Sequence, residues 1–136
     1  MTAHECQYRV YYEDTDAGGI VFYPNYLKFA ERGRTELLRS IGLTNSELAE
    51  KEGYFFVVRK LTAEYFRPAR LDDMITVKTA MGVINNASFE MKQEIYIGET
   101  KLFAMDVTLV CVGKDVKPMR VPDGLRDKLA AFMAGT

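Results

Sequence analysis

The sequence has one histidine, two cysteines, four prolines and no tryptophan among its 136 residues. With His4 as the sole imidazole, a Ser-His-Asp or Cys-His apparatus would have to recruit it from a chain end expected to fray. A structural zinc site wants four Cys or His ligands, and His4, Cys6 and Cys111 supply three. The two cysteines read most simply as reduced thiols, with Cys111 buried at the end of an alternating apolar row. Charge of one sign is also missing. Eighteen Lys+Arg balance nineteen Asp+Glu for a net charge of -1, which lacks the basic excess of a dedicated nucleic-acid binder. No apolar run approaches the ~18–20 residues needed to span a bilayer. The first residues have neither a basic stretch nor an apolar one, so no secretory signal is visible. The expectation is a cytoplasmic domain.

What is present is enough for one core. Apolar residues make up 48% and charged residues 27%, a balance that supports a single packed domain over 1–136. Gln7–Tyr12 reads as a first strand. After Pro24, residues Tyr26, Phe29, Ala30, Gly33, Leu37 and Ile41 repeat at helical spacing, which predicts a helix roughly 25 Å long ending at Gly42. A shorter helix follows over Ser46–Lys51. From Tyr54 the period becomes two. Phe55, Val57, Leu61, Ala63 and Tyr65 form one row, interrupted by Arg59. Ile75, Val77, Met81 and Val83 form the next row. Phe89, Met91, Ile95 and Ile97 follow, then Phe103, Met105, Val107, Leu109 and Cys111. A further extended stretch is expected over Val116–Arg120, and a short helix over Leu125–Met133. One long amphipathic helix before four or five antiparallel strands predicts an α+β domain with the sheet curled around the helix. Its edge strands favour pairing with another copy.

The distinctive segment is Asp14-Thr-Asp-Ala-Gly-Gly-Ile-Val-Phe-Tyr-Pro-Asn-Tyr. It sets carboxylates and a glycine pair close to the start of a long helix, where free N–H groups favour negative charge. Spacing alone does not choose between Asp14 and Asp16, which point the same way in an extended chain; Asp14 reads as a group bonding the turn backbone. Glu31 and Arg34 read as an i, i+3 surface pair.

This segment resembles the signature of the hot-dog acyl-CoA thioesterases of the 4-hydroxybenzoyl-CoA type. The continuation Phe29-Ala-Glu-Arg-Gly-Arg-Thr-Glu-Leu-Leu-Arg and the stretch Phe66-Arg-Pro-Ala-Arg-Leu-Asp-Asp resemble the Tol–Pal-associated subfamily. The resemblance implies hydrolysis of a thioester to a carboxylic acid and free coenzyme A, with no cofactor and no metal. It implies Asp16 as general base or nucleophile, and backbone amides near Tyr23, at the helix start, polarising the carbonyl. Gly19, Val58, Arg59 and Ser88 are the implied substrate-binding positions. The site would lie between subunits of a homodimer or homotetramer. Tyr23 stands where the Tol–Pal subfamily commonly has histidine and the hydroxybenzoyl type has tyrosine. Asn85-Asn86-Ala87 stands where hydroxybenzoyl-type members carry basic residues, so the coenzyme A phosphates are left to other cations: Arg59 first, then Lys60, Arg67, Arg70 and Lys92. Hydratase relatives of this fold use a catalytic histidine, a position His4 does not match. The alternative is a non-catalytic module for an acyl-carrier protein or cell-envelope partner on the same fold.

Overall fold

The structure is a computed structural model and describes residues 2–135. Its strands are β1 (Ala3–Arg9), β2 (Tyr54–Tyr65), β3 (Met74–Ile84), β4 (Ser88–Ile97) and β5 (Thr100–Gly113). Its helices are α1 (Asn25–Ser40), the short α2 (Asn45–Glu47), which runs on into a wider turn over Leu48–Glu52, and α3 (Asp123–Met133). The strands form one sheet in the order β1-β3-β4-β5-β2, every neighbour antiparallel. Helix α1 lies across one face, giving the expected α+β hot-dog arrangement. None of the described helices is long and apolar enough to cross a membrane.

The helical stripe read from the sequence is the buried one: Tyr26, Phe29, Ala30, Gly33 and Leu37. They meet Val77, Met91, Ile95 and Phe103 in one core. Full burial of side chains such as Phe29, Leu37 and Phe103 contributes roughly 1.5–3 kcal/mol each. Gly33 sets the separation of helix and sheet. A Cβ there would lie 2.6 Å from Val77 Cγ1 and 3.0 Å from Thr79 Oγ1, so only the missing side chain lets α1 sit this close.

Several expectations are corrected by pairing. The first strand begins at Ala3 and ends at Arg9, with His4 opposite Thr79 on β3. His4 is therefore held in the sheet rather than on a frayed segment, and Tyr12 opens a 3₁₀ turn over Tyr12–Asp14. On β2, Val58 pairs with Leu109 and Lys60 with Thr108, which leaves Arg59 as the extra residue of a β-bulge. A bulge shifts the phase of alternation. Phe56 and Ala63, not Phe55 and Ala63, therefore pack on the core. Between Met81 and Ile84 a second irregularity turns Ile84 to the core and leaves Val83 57% exposed. Val116–Arg120 forms no strand; Val116 has φ 60 and one bridge joins Val112 to Pro118. The second helix starts one residue earlier than read, capped by Thr44, whose Oγ1 accepts from the Glu47 N–H.

Candidate active site

The segment between β1 and α1 is organised by two carboxylates in opposite roles. The 3₁₀ turn rotates Asp14 inward. It is buried, its Oδ2 accepts from the Tyr11 N–H at 2.8 Å, and its carbonyl accepts from Phe22 N at 3.0 Å and Asn25 Nδ2 at 2.9 Å. Asp14 thus ties the turn to the first residue of α1. Asp16 lies on the exposed side. Its Oδ1 accepts from the Gly18 N–H at 2.8 Å, and its other oxygen has no partner among the described residues.

A tight turn presents Asp16. Its N–H donates to Ile20 O and its carbonyl accepts from Gly19 N, both at 3.0 Å, while Thr15 and Val21 bridge across the base. Gly19 has φ +77, a left-handed conformation that glycine adopts without strain. The Phe66–Asp73 stretch braces this turn from outside. Val21 N donates to Ala69 O at 2.9 Å and Leu71 N to Gly19 O at 3.2 Å. Ala69 N in turn donates to the buried Tyr26 hydroxyl at 2.9 Å, and burial raises the pKa of that phenol.

Tyr23 stands just before Pro24, the N-cap of α1, and is 65% exposed. Its N–H has no acceptor among the described residues. Its carbonyl accepts from the Tyr65 hydroxyl at 3.0 Å, and its ring meets Tyr65 edge-on at 6.2 Å. Tyr65 also packs edge-on against Tyr26 and Phe103. The N-terminal end of α1 is thereby fixed beside the Tyr65 end of β2.

Asp16, Gly19 and Tyr23 all lie on the loop that runs into that end of α1. Val58, Arg59 and Ser88 do not join them within one chain. Val58 lies near the middle of β2, seven residues from Tyr65 and so roughly 20 Å away at strand rise. It borders a cavity of about 360 Å³ between α1 and β2, whose lining also includes Phe55, Phe56, Arg34 and Leu38. Arg59 is exposed on its bulge. Ser88 opens β4, buried and paired with Val110. Of the other cations, Lys92 lies 3.7 Å from Asp106, and Arg67 and Arg70 border a separate cleft with Asp73.

One group was misread from sequence. Arg34 makes no ion pair with Glu31. Its Nη1 donates to Gln93 Oε1 at 3.0 Å, whereas Glu31 accepts from Thr35 Oγ1 at 3.2 Å. Burial lowers the Arg34 pKa, against an opposing pull from Glu31. The available signal was Gln93 itself, a polar residue inside the apolar row Phe89, Met91, Ile95.

The profile of the thioesterase superfamily matches residues 18–104. An acyl-CoA thioester hydrolase YbgC of Escherichia coli is 44% identical over 119 residues, covering 86% of this chain and 88% of that protein. An acyl-CoA thioesterase YbgC of Haemophilus influenzae is 40% identical over 126 residues, covering 91% and 90%. Among solved structures, a probable thioesterase from Bartonella henselae superposes with a TM-score of 0.86 at 41% identity, covering 88% of this chain and 99% of that one. A 4-hydroxybenzoyl-CoA thioesterase complexed with 4-hydroxybenzoyl-CoA shares the fold, with a TM-score of 0.86 at 19% identity over 95% and 99%. With a profile match over most of its length and relatives this similar along nearly all of it, the chain belongs to the thioesterase superfamily.

Proposed function

We propose that this protein is an acyl-CoA thioesterase whose site is completed by a second copy of the chain. The observation that carries the reading is one loop holding both an unengaged carboxylate oxygen, on Asp16, and an unengaged N–H, on Tyr23, at a helix start. Attack on a thioester carbonyl builds negative charge on its oxygen. A pre-placed N–H and the positive end of α1 stabilise that charge. Asp16 either takes a proton from the attacking water or attacks the carbonyl itself, giving a mixed anhydride that water then opens at the acyl carbon. In both routes the C–S bond breaks, coenzyme A leaves as the thiol, and the acyl carbon keeps an oxygen from water.

The topology supports a dimer. Strand β2 ends the sheet, and its outer edge has no partner strand among the described residues. Val58, Leu61 and Tyr65 are exposed along it. Antiparallel pairing of β2 with its own copy sets the Tyr65 end of one chain against the Tyr54 end of the other. The two-fold axis is then perpendicular to the sheet and keeps both helices on one face. Tyr65 of one copy then lies opposite Tyr54 of the other, and the Asp16 loop of the first faces the half of β2 in the second that carries Phe55 to Val58 and the cavity beside them. Arg59, exposed on its bulge, would meet the phosphates of coenzyme A at the mouth of this joint site.

The test is coenzyme A release from short-chain, long-chain and aromatic acyl-CoAs by wild type, Asp16→Asn and Asp14→Asn. Turnover lost at position 16 and retained at 14 is expected. Binding of acyl-carrier protein or acyl-CoA without turnover of any substrate would replace this reading with that of a binding module.

A further inference from the structure

The cavity between α1 and β2 is apolar on its sheet side, where Phe56, Val58, Met91 and Leu109 line it. Arg34, on the helix side, departs from that lining. It is held in place by a side chain whose orientation is fixed. Gln93 is 1% exposed; its Nε2 donates to Ala30 O at 2.7 Å and to Thr79 Oγ1 at 2.9 Å. A carbonyl oxygen can only accept, so the nitrogen must face Ala30, and Oε1 must face Arg34. The bond from Arg34 Nη1 to that oxygen uses one of five guanidinium donors. Among the described residues Arg34 makes no other hydrogen bond and no ion pair. Glu31, exposed on the same wall, is engaged with Thr35.

An alkyl chain laid in this cavity would strip the remaining water from Arg34 and return no hydrogen bond. Sites with buried donors reject ligands lacking the matching acceptor for this reason. An aliphatic acyl group carrying an oxygen beyond the thioester replaces that water with a charge-assisted bond.

We propose that Arg34 determines acyl selectivity: the cavity takes the acyl portion of the thioester, and Arg34 binds a carboxylate or carbonyl oxygen carried on it. This rests on the thioesterase reading above, with the cavity facing Asp16 of the other copy. The experiment measures kcat/KM for hexanoyl-CoA, its keto analogue and adipoyl-CoA, with wild type, Arg34→Met and Arg34→Lys. Wild type is expected to favour at least one oxygenated substrate over hexanoyl-CoA by about 10-fold or more, the scale of one hydrogen bond to a charged group. In Arg34→Met that ratio falls toward one, and Arg34→Lys keeps part of it. A preference for adipoyl over the keto substrate identifies charge as the determinant; equal preference identifies the acceptor oxygen. The proposal is overturned if wild type prefers hexanoyl-CoA, or if Arg34→Met lowers all three substrates by one factor, the mark of a structural role. If Arg34→Met fails to fold, Arg34→Lys carries the test, and a ratio there unchanged from wild type overturns the proposal. Turnover of long-chain or aromatic thioesters but none of these three overturns this proposal alone, whereas no turnover of any thioester overturns the reading beneath it.

Discussion

The N-terminal end of α1 and its middle are held by different forces. Around Asp14–Tyr23 the chain is positioned by backbone hydrogen bonds, while Phe22, Tyr23 and Asp16 face outward. At Gly33 the helix presses on Val77, Thr79 and Gln93 with no room for a methyl group. A hydrogen-bonded turn fixes the direction of a few groups and leaves their outer faces open to a ligand. A close-packed seam fixes the distance between two elements and leaves nothing open. Side-chain changes in the first region should therefore act on chemistry, and those in the second on stability.

The sharpest test of that contrast is Asp16→Asn. Asparagine keeps an acceptor for the Gly18 N–H but loses the basic oxygen, so turnover should fall on the order of 100- to 10,000-fold. Unfolding free energy should stay within about 0.5 kcal/mol, as for an exposed substitution. A comparable loss of stability would erase the distinction between the regions. Gly33→Ala should do the reverse. Overpacking against Val77 is expected to cost roughly 1–3 kcal/mol in urea denaturation, with coenzyme A release per folded molecule largely retained.

Asp14→Asn sharpens the contrast within the turn. It weakens the bond from the Tyr11 N–H by removing the charge, at about 1 kcal/mol, and keeps most turnover. If its turnover instead falls as far as that of Asp16→Asn, the division of labour between the two carboxylates is wrong. A last effect, confined to alkaline pH, concerns the core itself. Burial pushes the Cys111 thiol from the ordinary 9.0 up to about 11. The unfolded chain therefore releases this proton first, and the contribution to stability is complete below pH 9 and declines between about 9 and 11. Denaturation midpoints measured across that interval should fall less in Cys111→Ser than in wild type.

Much of this was legible in residue order. The helical stripe from Tyr26 to Leu37 and the row from Phe103 to Cys111 both emerged as read, because each is a local period pressed against a continuous apolar surface. The segment around Asp16 was legible as a motif, and so was Phe66–Asp73. The bracing of one by the other was not. It depends on Leu71 meeting Gly19 and Ala69 meeting both Val21 and Tyr26, contacts between parts of the chain about fifty residues apart.

The phase errors have a single cause. Alternation read along β2 assumes an unbroken strand, and the extra residue at Arg59 exists only relative to β5. The same holds for Val83, which is displaced by a mismatch against β4. Arg34 was assigned to Glu31 because they are near in sequence, and it bonds Gln93, fifty-nine positions away. Composition and periodicity by themselves determined the α+β class and most of the elements, since each follows from local propensity and the burial of one apolar face. Tertiary structure alone decided which aspartate faces solvent, where each strand changes phase and what Arg34 touches. Those depend on register between distant segments, which no local period encodes.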